Sequence, residues 1–157
     1  VQDVIDCVKE VVPQVAETTA VYLAGLSMGG YGALRLGAKY PDRFKAVSAH
    51  SAVINLDTLQ YIITRRPIPY KFSNEGDPSI LHWLQTHRDT LPPIRFDCGL
   101  EDQLIDQNQQ LHAQLRQHQI PHQFETFAGG HTWPYWQLHL RDSLRFFAKT
   151  ETETRNE

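Results

Sequence analysis

Apolar positions recur along this chain in two periods, one near the ~3.6 residues of a helix and one in short strand-like runs. Their alternation predicts an α/β architecture of three layers with a mainly parallel sheet. Val1, Ile5, Val8 and Val12 share one helical face, and Pro13 marks its end. Ala20 to Ala24 is a short run apolar on both faces, the pattern of a strand buried between helical layers. Glycines at 25, 29, 30 and 32 follow, and then a helix runs to about Tyr40, stopped by Pro41. Lys45 to Ala49, Ile94 to Cys98 and Gln123 to Phe127 read as further strands. A helix begins near Asp106, where Asp106 and Gln109 have the spacing of an N-cap and its N3 partner, and buries Leu111 and Leu115. Trp136 to Phe147 reads as a last amphipathic helix, and 151–157 as a polar, frayed tail.

Between these elements, residues 52–93 carry five of the nine prolines and only short periodic pieces, one of them a helix around Ser79 to His87. Segments of this kind serve as lids or binding loops. Residues 1–150 therefore read as one domain with a lid-like insertion. The first residue is Val1, with no signal-peptide pattern, so the expectation is a chain that starts partway through a longer protein.

Composition narrows the function classes. Of 157 residues, 41% are hydrophobic and 21% charged, ordinary for a globular protein. Fifteen Lys and Arg against eighteen Asp and Glu give a net charge of −3, which excludes a strongly basic nucleic-acid binder and a polybasic membrane anchor. Arg65 and Arg66, near Tyr61 and Tyr70, read as a solvated loop. No apolar stretch is long enough to span a bilayer. Cys7 and Cys98 are too few for a disulfide scaffold, show no metal-ligand spacing and read as reduced core thiols. A cytoplasmic setting is the default expectation.

The sharpest chemical signal is Gly25-Leu26-Ser27-Met28-Gly29, a G-x-S-x-G between a strand pattern and a helix pattern. That context belongs to the nucleophile elbow of α/β-hydrolases. A serine on so tight a turn is strained, small neighbours let strand and helix approach, and the hydroxyl is lifted clear of the sheet. The turn also leaves the Met28 N–H at a helix N-terminus, where it can stabilise an oxyanion.

A serine nucleophile needs a base, and the base an orienting acid. His131 has the position for the base, in Gly129-Gly130-His131-Thr132-Trp133 between the last strand and last helix. His82, His87, His112, His118 and His139 read as solvated, and nothing near His122 suggests a site. His50 ends the second strand on the side where such sheets bind ligands, so it is a candidate pocket residue. For the acid, Asp102 lies just past a strand end, with Glu101 and Asp97 as alternatives. The glycine cluster completes neither a dinucleotide nor a Walker fingerprint, and there is no H-E-x-x-H. No metal or organic cofactor is expected.

With these residues in view, the chain resembles the esterase D-type (tributyrin-type) esterases of the α/β-hydrolase superfamily. The resemblance spans residues 1 to about 149. It rests on the run from Gly25 to Leu34, on the run from Asp97 to Asp102, and on the run from Gly129 to Trp136. It implies Ser27 as nucleophile, Asp102 as orienting acid, His131 as base and the Met28 N–H as one of two oxyanion donors. Members of the family include carboxylesterases, feruloyl and acetylxylan esterases, S-formylglutathione hydrolases and mycolyltransferases. The likeness covers the C-terminal two-thirds of such an enzyme, with about four strands visible, and leaves the elbow strand at a sheet edge open to pairing between copies. The expectation is a serine carboxylic-ester hydrolase of a small-molecule ester, working through an acyl-enzyme. Its rivals are an acyltransferase with the same chemistry and a catalytically silent fragment or binding domain. Trp133 and Trp136 are further candidates for lining the pocket, with packing as their alternative role.

Overall fold

The computed structural model describes residues 2–12, 19–55 and 78–155. In chain order these form α1 (Gln2–Val11), β1 (Tyr22–Leu26), α2 (Met28–Lys39) and, after a 3₁₀ turn at Pro41–Arg43, β2 (Ala46–His50). Then come α3 (Ile80–Thr86), β3 (Ile94–Gly99), α4 (Ile105–Gln117), β4 (Gln123–Phe127) and α5 (Trp133–Arg155). The middle of the predicted lid, residues 56–77, lies outside the described residues, as do Arg65, Arg66, Tyr61 and Tyr70.

The four strands make one parallel sheet in the order β1-β2-β3-β4, so β1 and β4 are its edges among the described residues. Register explains how the two faces differ. Val47 stands beside Ile94 and Ala49 beside Phe96, while Ser48 stands beside Arg95 and His50 beside Asp97. Successive side chains alternate between faces, so the apolar set and the polar set separate cleanly.

The apolar face packs on α2 and α4, and α3 joins the same core against α2, through Leu34, Ala38, Ile80, Leu84, Leu111 and Leu115. Each such large side chain contributes roughly 1.5–3 kcal/mol when fully buried. The other face lies under α5 and is held by hydrogen bonds. Ser143 reaches both Ser48 Oγ (2.6 Å) and His50 Nε2 (2.7 Å), and the Tyr135 hydroxyl donates to Asp97 (2.8 Å).

Two predicted helices have other bounds in the structure. Helix α4 starts at Ile105 with Leu104 as its N-cap, not at an Asp106 cap. The Leu104 N–H donates to the Asp102 carboxylate at 2.8 Å and the Ile105 N–H to the Asp102 carbonyl at 3.0 Å, so the turn is made earlier. Helix α5 extends beyond the prediction at both ends, and the segment read as a frayed tail is helical to Arg155. Glu151 is tied there by the Tyr22 hydroxyl, and Thr150 bonds back to the Phe146 carbonyl. The helix predicted around Ser79 is α3, where Ser79 Oγ accepts the His82 N–H at 3.1 Å. No helix among the described residues is long and apolar enough to cross a membrane.

Several residues given bland readings have structural partners. His139 is buried, stacked on Phe127 with centroids 4.1 Å apart, and its Nδ1 lies 2.9 Å from Asp142. His87 Nδ1 meets the Ala38 carbonyl at 2.7 Å, and His112 bonds His122 at 2.7 Å. In each case the imidazole offers an apolar ring to pack and a polar edge to pair. Cys98 is buried as expected of a core thiol, whereas Cys7 is exposed on α1.

Candidate active site

Ser27 sits between β1 and α2 with φ 53° and ψ −117°, a conformation that costs a non-glycine residue roughly 1–3 kcal/mol. Three backbone bonds hold it there. Its N–H donates to the His50 carbonyl at 2.9 Å, and its carbonyl accepts the N–H groups of Tyr31 and Val53, both at 3.1 Å. The two glycines of the motif do different jobs. A Cβ on Gly25 would lie 2.1 Å from the Gly29 carbonyl oxygen, whereas a Cβ on Gly29 would meet nothing within 4 Å. Close approach is therefore demanded at Gly25, and Gly29 only presents its backbone.

His131 is delivered by a second constrained turn. Gly129 has φ 123°, open to glycine and strained for other residues. The loop is clasped by Glu101, whose N–H donates to the Gly129 carbonyl (3.0 Å) and whose carboxylate accepts the Gly129 N–H. That clasp occupies Glu101, one of the alternative acids.

These turns bring Ser27, His131 and Asp102 together. His131 Nε2 lies 2.9 Å from Ser27 Oγ, and Nδ1 lies 2.9 and 3.1 Å from the two oxygens of Asp102. An Nδ1–H donor to the carboxylate leaves Nε2 to accept the serine proton. Asp102 is buried; burial alone would raise its carboxyl, but hydrogen bonds from His131, Ser51 and the Leu104 N–H outweigh that and hold it below the ordinary carboxylate range. Met28 is the first residue of α2, so its N–H is one of those a helix cannot satisfy internally.

Asp97, the other alternative acid, belongs to a separate buried network. Its carboxylate lies 2.7 Å from His50 Nδ1, 2.6 Å from Arg95 Nη1 and 2.8 Å from the Tyr135 hydroxyl. Arg95 continues to Glu125 at 2.9 Å. Burial pushes the Asp97 carboxyl up, but His50, Arg95 and Tyr135 together hold it below its ordinary value. Burial and the Asp97 charge push the Tyr135 hydroxyl far upward, so it stays a donor. The sequence reading missed this network, although Ser48 with His50 and Arg95 with Asp97 already alternate with apolar neighbours.

His50, Trp133 and Trp136 line a cavity of about 250 Å³ together with Gly25, Leu26 and Leu140. Trp136 stands edge-on to the His131 ring at 4.9 Å, and Trp133 edge-on to Trp136 at 5.3 Å. Ser51, a further residue absent from the sequence-based candidates, hydrogen-bonds Asp102 and receives the Trp136 indole N–H.

Comparison with known proteins gives a consistent picture. The profile of the family described as "Putative esterase" matches residues 2–147. The chain is 27% identical over 163 residues to an acetyl esterase of Caldicellulosiruptor saccharolyticus, covering 94% of this chain and 61% of that protein. It is 31% identical over 137 residues to an iron(III) salmochelin esterase of Escherichia coli O6:H1, covering 83% of this chain and 31% of that one. In fold it resembles an S-formylglutathione hydrolase from Staphylococcus aureus, with a TM-score of 0.77 at 22% identity, covering 92% of this chain and 61% of the other. The chain thus spans less than two thirds of the length of each of these relatives. With the profile running along nearly all of its residues and the strand–turn–helix elbow in place, the chain belongs to the Putative esterase family and has the α/β-hydrolase fold.

Proposed function

We propose that Ser27, His131 and Asp102 form the catalytic chain of a carboxylic-ester hydrolase that works through an acyl-enzyme. Ser27 Oγ bonds to the ester carbonyl carbon as its proton passes to His131 Nε2, and the carbonyl oxygen becomes an oxyanion facing the Met28 N–H. Collapse breaks the ester C–O bond, and the departing alkoxide takes the proton from His131. Water then attacks the acyl-enzyme, gives a proton to His131, and the acid leaves as Ser27 recovers its hydrogen. Asp102 holds the imidazole in the tautomer that accepts at Nε2 and offsets the imidazolium charge.

The observation that carries this reading is the pair of 2.9 Å contacts on opposite nitrogens of His131, one to Ser27 and one to Asp102. On substrate, the acetyl esterase relative favours a short acyl group. The apolar cavity lined by Leu26, Trp133 and Trp136 is consistent with this, since its 250 Å³ is below the roughly 300–1,000 Å³ of most ligand pockets. For other partners, the reading places self-association on the β1 edge; sedimentation that stays at the mass of one chain at every concentration removes that part.

Intact-mass labelling with a fluorophosphonate tests the chemistry directly. Attack forms an Oγ–P bond, expels fluoride and passes the serine proton to His131. One adduct is expected, absent in Ser27→Ala. A folded chain that takes no adduct, or an adduct that persists in Ser27→Ala, overturns the assignment. Acetate and butyrate esters then read turnover, with an added alcohol to detect acyl transfer in place of hydrolysis.

A further inference from the structure

Ser51 lies one residue beyond β2 in a conformation that calls for explanation. It is fully buried, its φ is 46°, and its N–H donates to the Asp97 carbonyl at 2.7 Å. Glycine takes that backbone without strain, so a serine there brings something that glycine lacks, namely a hydroxyl. A hydroxyl can donate one hydrogen bond and accept two, and this one faces two groups of the site. Its proton goes to the Asp102 carboxylate, which can only accept. A lone pair receives the Trp136 Nε1–H at 3.3 Å.

Both partners bear on the same ring. Asp102 binds His131 Nδ1 at 2.9 Å, and Trp136 meets the imidazole edge-on, with centroids 4.9 Å apart at 87°. One buried hydroxyl therefore touches the group that orients the base and the group that walls it.

We propose that Ser51 is a positioning residue: its hydroxyl fixes the Asp102 carboxylate and the Trp136 indole against each other, and through them the His131 imidazole over Ser27. The inference rests on the catalytic chain proposed above. Left to accept only from His131 and the Leu104 N–H, the carboxylate could rotate about its last torsion, and the 2.9 Å contact would loosen.

The test compares the intact chain with Ser51→Ala, which keeps the backbone strain, and Ser51→Gly, which relieves it; both lack the hydroxyl. Two quantities are measured: the second-order rate of fluorophosphonate labelling, and the downfield proton resonance of His131 Nδ1–H in its bond to Asp102. Both variants should label more slowly by on the order of 10- to 100-fold, the scale of one hydrogen bond to a charged group. Both should also shift or lose the downfield resonance. A glycine variant with the wild-type rate and resonance assigns the residue to backbone geometry alone and overturns the proposal, as does an alanine variant unchanged in both. If wild-type Ser27 takes no label while the resonance still responds to Ser51→Ala, the hydrolase reading fails and the positioning role stands.

Discussion

Asp102→Asn probes the tautomer of His131. The exchange is isosteric, so the buried volume is preserved and the fold should survive. What changes is the hydrogen-bond inventory. In the native chain one carboxylate oxygen accepts the Leu104 N–H at 2.8 Å, and the other is the nearer partner of His131 Nδ1 at 2.9 Å. The Leu104 N–H is a fixed donor one residue before α4 begins, so the asparagine oxygen must stay there. Its NH₂ group is then left facing His131 Nδ1. The imidazole answers by accepting at Nδ1 and carrying its proton on Nε2, where it points at Ser27 Oγ and cannot act as a base.

Reaching the productive tautomer in this variant sets two donors against each other, each an unpaired buried group costing about 1–3 kcal/mol. The developing imidazolium has also lost its counter-charge 2.9 Å away. The two unpaired groups alone raise the barrier by about 2–6 kcal/mol, or roughly 30- to 25,000-fold in rate, and the lost charge adds to this. The labelling rate with fluorophosphonate reads this directly, with thermal unfolding as the check on folding. Glu101→Gln is the control: an amide oxygen can still accept the Gly129 N–H, so that variant should stay within about tenfold of wild type. A loss below tenfold in Asp102→Asn, or a larger loss in Glu101→Gln, refutes the role given to Asp102.

Two further predictions concern the frame around the site. Asp97→Asn leaves Arg95 without its buried counter-charge, and breaking such a pair costs about 3–5 kcal/mol. At about 2–4 °C per kcal/mol for a chain of this size, Tm at neutral pH should fall by roughly 6–20 °C, and a fall of a degree or two would contradict it. Because the Asp97 carboxyl is held below its ordinary value, its contribution is present above the usual carboxylate range and lost as pH falls through the folded value. The variant should therefore lose part of the wild-type acid sensitivity. Gly25→Ala drives a Cβ to 2.1 Å from the Gly29 oxygen and should abolish labelling and lower Tm, while Gly29→Ala meets open space and should retain both. Equal behaviour of the two variants in Tm and labelling would refute the steric account of the elbow.

Much of the fold was legible because it rests on local rules. Gln123–Phe127 is a strand at its predicted bounds, and Pro41 follows the end of α2. The polar layer beneath α5 was not legible, for a physical reason. Arg95 inside a strand reads as a defect until β4 brings Glu125 alongside to join Asp97, two residues on in the same strand, and strand pairing is a long-range property. The same holds for the start of α4, which depends on a carboxylate already committed to His131. Sequence motifs marked the residues after β1, β3 and β4, because glycines flank Ser27, Asp102 and His131 there. The end of β2 carries no such marker, yet Ser51 stands there on the same side of the sheet. Parallel strands all point their C-terminal ends one way, so four successive strand ends converge on one site. On that geometry each of the four described strands supplies one group of the proposed site: Ser27 from β1, Ser51 from β2, Asp102 from β3 and His131 from β4. A residue at such a strand end that bears a polar side chain in a left-handed conformation is therefore a candidate for the site even where no motif names it.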